Sequence, residues 1–211
     1  MKSRPHNLSR SHETCRHTSG LAGFKMVLTL FSMAATMSLI CAEERIDFEG
    51  VSDDLPGWSA MITEAGSPVQ YRPAVKWDVP FTISLDSEKP HDGSTALKLA
   101  FSAEVQGNVS LRPPTIMVTG TAATISFFVR CEGLAEEPLF SFEETSADGQ
   151  KVKSHWGAAK IPLSEEWMEL KWSGPLQPAT ASVRISIICK SPHAGARMWI
   201  DDIVVEPIEG E

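Results

Sequence analysis

No stretch of residues 43–211 holds a 3.6-residue apolar period over ten residues, whereas short segments with a period of two recur along the whole of it. Leu97, Leu99 and Phe101 share one face of such a segment, and Phe140 and Phe142 share a face of another. Period two is the signature of strands with one buried face. The pattern predicts strands at 45–49, 58–63, 81–85, 95–102, 109–112, 124–131, 139–145, 151–157, 167–172, 182–189 and 198–206. Turn formers punctuate them: Asp54-Leu-Pro-Gly57, Pro90-His-Asp-Gly93, Gln106-Gly-Asn108, Arg112-Pro-Pro114 and Ser173-Gly-Pro175. Ala147-Asp-Gly-Gln150 is a hairpin signal, because Asp-Gly readily takes the positive φ of a tight turn. Many short strands at a spacing of roughly 8–12 residues predict an all-β chain, a two-sheet antiparallel β-sandwich of the jelly-roll kind.

The closing segment, Met198-Trp-Ile-Asp-Asp-Ile-Val-Val-Glu-Pro207, carries two adjacent acids in an otherwise apolar run. Asp is disfavoured in strands. Ile203 and Val205 alternate inward, and Ile200 joins them only if the chain slips by one residue at the Asp pair. That slip predicts a β-bulge, which re-aims a carboxylate. A bound cation would give the bulge a purpose, and a solvated strand end is the plain alternative.

Residues 1–25 are polar and basic, with Lys2, Arg4, Arg10, Arg16 and Lys25 against Glu13 alone. Residues 26–40 are apolar or small, and Ile40-Cys41-Ala42 ends in a small residue. The order of basic region, short apolar region and small residue reads as a signal peptide of bacterial type over residues 1–42, with cleavage before Glu43 and Met26 as a second possible start. A lipoprotein cysteine at Cys41 and an uncleaved anchor are the competing readings. The apolar region is short for a transmembrane helix, so the expectation is a protein secreted or held in the periplasm or cell envelope, with residues 43–211 as one domain and no membrane span after cleavage. That part has 26 acids (the chain's 27 without Glu13) and 14 bases (its 19 without the five of the leader), a formal charge of −12. Nucleic acid is thereby excluded as a partner class, since phosphate binding needs a basic face.

Two cysteines remain after cleavage, Cys131 and Cys189. Each shares the parity of its strand's apolar residues, so both point into the core. An oxidising compartment permits a bridge between them, and two buried thiols acting as small apolar fillers is the other outcome. No Cys-x-x-Cys spacing suggests a metal.

Several landmarks stand in order: Ile46-Asp-Phe-Glu-Gly50, Leu55-Pro-Gly-Trp58, Asp92-Gly-Ser-Thr-Ala-Leu-Lys-Leu99, Ile125-Ser-Phe-Phe-Val-Arg130, Glu166-Trp-Met-Glu-Leu170 and Ile200-Asp-Asp-Ile-Val204. This order resembles the jelly-roll carbohydrate-binding modules of secreted bacterial polysaccharide-degrading enzymes, within the galactose-binding-like sandwich fold. The resemblance spans nearly all of residues 45–207. It implies a structural calcium (Ca2+) where first and last strands meet, at positions matching Glu49, the Asp92–Gly93 turn, and Asp201 or Asp202. Calcium takes 6–8 oxygen ligands, carboxylate and carbonyl together, and the acidic charge favours a cation. Hydrogen bonding of these acids to turn amides is the alternative without a metal.

Six tryptophans fall in the folded part: Trp58, Trp77, Trp156, Trp167, Trp172 and Trp199. Neutral sugars stack their C–H faces on aromatic rings, but Trp more often packs. Trp58 and Trp167 match core positions of the resembled family, and Trp172 and Trp199 are open. Tyr71 and Trp77 lie in a polar loop. Trp156 lies in a strand where it shares parity with Val152 and Ser154 while Lys151, Lys153 and His155 face the other side, with either face able to line the concave sheet. Tyr71, Trp77 and Trp156 are therefore the expected ligand platform, with Arg112 and His155 as polar contacts. No catalytic signature is present: no Gly-x-Ser-x-Gly, no His-Glu-x-x-His, no phosphate loop. The expectation is a non-catalytic exported module that binds a polysaccharide or surface glycan. The alternative is a structural or protein-interaction sandwich of the cell envelope with an envelope protein partner and no sugar site. Exposure separates them, because sugar binding needs at least two aromatics in open view on one face or rim.

Overall fold

The computed structural model describes residues 43–63, 71–74, 77 and 80–208. The expected signal peptide and its cleavage site lie outside the described residues, apart from Glu43 on the far side of that site. Among the described residues there are thirteen strands: β1 (Glu44–Ile46), β2 (Ser59–Thr63), β3 (Arg72–Pro73), β4 (Phe81–Asp86), β5 (Ala96–Phe101), β6 (Asn108–Arg112), β7 (Ile116–Met117), β8 (Ala122–Glu132), β9 (Leu139–Thr145), β10 (Lys151–Lys160), β11 (Met168–Pro175), β12 (Ser182–Lys190) and β13 (Arg197–Pro207). Each of the eleven expected strands is there. The two additions, β3 and β7, are two residues long, too short to show a period.

The strands form two antiparallel sheets. The first runs β11-β8-β13-β5-β4, with β1 beside β13, and the second runs β10-β9-β12-β6-β2-β3, with β7 beside β12. Their inner faces supply the core, as alternation requires. Leu97, Leu99, Phe101, Ile125, Phe127 and Val129 come from the first sheet, and Val109, Leu111, Phe140, Phe142, Val183, Ile185 and Ile187 from the second. Phe127 meets Phe140 at 5.4 Å between ring centroids, joining the layers. Trp58 is buried against Phe48, as expected. Cys131 and Cys189 both reach the core and are free thiols. Burial pushes the Cys131 thiol up to about 12 and raises Cys189 as well.

The bulge in the last strand is present. Asp201 pairs with Phe128 but Val204 pairs with Ser126, so Asp202 and Ile203 face one residue of β8. Asp202 takes a φ of 50°, a conformation that Asp tolerates better than most residues. Ile200, Ile203 and Val205 all reach the core as a result. The Asp148-Gly149 hairpin also forms, closed by Gly149 N–H to Ser146 O at 2.9 Å.

Candidate functional site

Inward parity on β9 and β12 fixes what stands outward. With Phe140 and Phe142 inside, Ser141 and Glu143 face out, and with Val183, Ile185 and Ile187 inside, Arg184 and Ser186 face out. Glu143 and Arg184 are direct cross-strand partners with their charged ends 3.8 Å apart. On the neighbouring β6, the Arg112 Nε donates to Ser186 Oγ at 2.9 Å. The guanidinium of Arg112 lies 4.0 Å from the ring centroid of Tyr71, a cation–π contact. Burial raises the Tyr71 phenol above its ordinary value and the Glu143 carboxylate adds to this, while Arg112, the Ser110 hydroxyl and Arg184 pull it back. All of these groups therefore sit around one ring on the outer face of the second sheet.

At the other end of that face stands Trp156, 70% exposed, with Tyr71 37% exposed. Three strand intervals separate β10 from β6, roughly 14 Å at about 4.8 Å each. The arrangement is a polar strip with an exposed aromatic at each end. Sequence reasoning found Tyr71, Arg112 and Trp156 and missed Glu143, Arg184 and Ser186. Their signal was the same alternation that placed Phe142 and Ile185 inside.

Two expected members are elsewhere. His155 turns inward from β10, stacks on Phe142 at 4.1 Å, and bonds through Nε2 to the fully buried Glu144 at 2.6 Å. Adjacent strand residues face opposite ways, so His155 and Trp156 cannot share a face. Burial would raise the Glu144 carboxyl, but hydrogen bonds from Thr180, the Gln177 N–H and His155 outweigh it and hold the carboxyl below its ordinary value. Trp77 stacks on Phe81 at 4.8 Å and packs against the core, with Arg72 over its ring. Its ring lies against the sandwich instead of standing off it. Trp167, expected in the core, is half-buried over the turn before β5, with Nε1 donating to Lys89 O at 3.3 Å.

The residues expected to hold calcium do converge. Glu49, Asp92, Gly93, Asp201 and Asp202, with Asp47 and Arg45, line a cavity of ≈ 50 Å³ where β1 meets β13. Their oxygens are largely engaged by the protein. Glu49 accepts from Ser94 N–H at 2.6 Å, Ser94 Oγ at 2.6 Å and Thr95 N–H at 3.1 Å, and these bonds lower its carboxyl. A Cβ on Gly93, whose φ is +61°, would collide with Glu49 Oε1, so the glycine lets the carboxylate reach those amides. Asp201 accepts from His91 N–H at 3.0 Å and Asp202 N–H at 2.9 Å. Burial, then the neighbouring Asp202 charge, raises its carboxyl. Asp202 is paired with the Arg45 guanidinium and with His91 Nδ1 at 3.2 Å. Among the described residues no group of three or more His, Cys, Asp or Glu side chains is arranged to hold a metal ion. The Arg45 guanidinium holds Asp202, one of the carboxylates that a calcium ion at this end would need.

No family model and no curated protein matches this sequence. Solved structures do match the fold. The CBM22-1 xylan-binding domain from Paenibacillus barcinonensis Xyn10C is similar at a TM-score of 0.50 and 13% identity, over 80% of this chain and 95% of that one. The Clostridium thermocellum Xyn10B CBM22-1-GH10 modules complexed with xylohexaose are similar at 0.53 and 13%, over 79% of this chain and 28% of that one. The enzymatically active domain of the bacteriophage CBA120 tailspike protein 4 is similar at 0.54 and 17%, over 74% of this chain and 20% of that one. The chain thus has the β-sandwich fold of carbohydrate-binding modules, and it spans only a fifth of the tailspike chain it resembles.

Proposed function

We propose that this chain is an exported, non-catalytic carbohydrate-binding module that presents the outer face of its second sheet to a polysaccharide or surface glycan. The observation that carries this reading is the pair of open aromatics, Tyr71 and Trp156, at the two ends of one polar strip holding Arg112, Ser186, Arg184 and Glu143. Rings stack on the sugar faces, and the charged and hydroxyl groups between them orient its hydroxyls. The fold likeness to a xylan-binding domain and to modules complexed with xylohexaose makes β-1,4-linked xylan the first ligand to try. Export rests on the leader sequence. Calcium enters only as a competitor of Arg45 for Asp202, with Glu49, Asp92 and Asp201 as the further acids within reach.

The test is affinity electrophoresis through gels that each contain one soluble polysaccharide, xylan among them. Retardation in at least one neutral gel, reduced by Trp156→Ala, is the expected result. Free migration in every gel overturns the reading and turns attention to an envelope protein partner.

A further inference from the structure

The opposite face of the sandwich carries a second cluster that the strip does not use. On the outer side of the first sheet, Lys98 of β5, Trp199 of β13 and Arg130 of β8 are direct cross-strand neighbours in one row. Arg197 lies beside them, opposite Glu132. Trp199 points away from the core, yet it is only 5% exposed, because cations cover it: Lys98 at 5.3 Å, Arg130 at 4.7 Å and Arg197 at 5.7 Å from the ring. The indole Nε1 donates to Asp86 Oδ2 at 3.0 Å, and Lys98 Nζ donates to the same carboxylate at 2.6 Å. Glu132 serves both arginines, with Arg197 at 3.0 Å and Arg130 closer still.

A cavity of ≈ 260 Å³ opens over this row, bordered also by Glu88 and Lys89. Four cations face three carboxylates there, on a folded part whose formal charge is −12. The Arg130 side chain is nine-tenths buried, and its Nε has no hydrogen-bond partner among the described residues. A buried guanidinium is costly unless its donors are met. One carboxylate shared between two arginines leaves donors over, and the site is short of one acceptor of negative charge.

We propose that this pocket is a second ligand site, for the carboxylate of an acidic sugar residue. The guanidinium fork matches a planar carboxylate in two parallel bonds. The cavity is below the volume range of drug-sized pockets and suits a single ring. The lining is polar, with the one large apolar surface, Trp199, closed off by cations, so charge and not stacking does the recognising. This inference stands on residues separate from the strip and survives its failure.

The experiment follows the indole N–H resonance of Trp199, assigned with Trp199→Phe, in ¹⁵N-labelled protein titrated with glucuronate and galacturonate. Glucose, galactose, inorganic sulfate and inorganic phosphate are the controls. Saturable movement with a uronate but not with the neutral sugar is expected, with Arg130→Gln weakening it by about tenfold or more. Arg197→Gln, at a rim position that is half exposed, gives the same readout if Arg130→Gln fails to fold. Sulfate or phosphate moving the resonance as strongly as the uronates would reduce the site to a general oxyanion contact and overturn the sugar assignment. No movement with any anion would overturn the site itself.

Discussion

Asp86→Asn is the substitution whose cost the structure fixes most closely. The Asp86 carboxylate is buried, and burial alone would raise its pKa. Hydrogen bonds from Lys98 Nζ, Trp199 Nε1 and the Glu88 N–H win and lower it from 3.8 to about 2. One pKa unit corresponds to about 1.36 kcal/mol. The shift therefore represents about 2 kcal/mol of stability at neutral pH, little screened because the side chain is 7% exposed. The folded value is depressed, so this contribution is fully present above the unfolded carboxyl value, about 3.9, and is lost as pH falls through about 2. The asparagine keeps an acceptor for the Trp199 indole and loses the charge that holds Lys98. Urea unfolding at pH 7 should show the variant about 2 kcal/mol less stable, with a melting temperature lower by roughly 4–8 °C for a chain of this size. The gap should narrow as pH falls below about 4. Equal stability at pH 7, or a gap unchanged down to the lowest pH at which both fold, would refute the assignment of the shift to these partners.

Other consequences are open to measurement. Gly93→Ala should destabilise by about 1–3 kcal/mol, because the added Cβ meets Glu49 and the φ is positive; thermal melts decide it, and an unchanged melting point would mean that Glu49 moves freely. Arg45→Ala removes a half-exposed ion pair worth about 1 kcal/mol or less and leaves the acids of the end cavity without their guanidinium; its melting point should rise with added calcium more than that of the unaltered protein, and equal responses would show that Arg45 does not compete. Native Cys131 and Cys189 should resist a thiol reagent at pH 8 and react once the protein is unfolded, as buried thiols with raised pKa values must.

The sequence made the fold legible because burial on one face leaves a period of two, and the bulge legible because Ile200 and Ile203 could not otherwise share a face. It also held more of the strip than was drawn from it. Once Val183 and Ile185 are inside, Arg184 and Ser186 have no other place than outside, and the same alternation parts His155 from Trp156. Trp77 is a different case. Nothing in a polar loop tells whether its ring stands off the sheet or folds back onto Phe81, because that contact is tertiary. Arg45 was hidden for a similar reason: it is an ordinary residue of a short first strand until the bulge at Asp202 turns a carboxylate toward it. The cation row over Trp199 needs three strands in register, which no single segment records.

The proposed sugar site is the outer face of the second sheet. The deciding measurement is a titration with a neutral oligosaccharide of a polysaccharide that retards the protein, following the indole N–H resonances of all six tryptophans. Binding there shifts and saturates Trp156 while the buried Trp58 and the cation-covered Trp199 stay in place. Saturation at other tryptophans with Trp156 unmoved would contradict it.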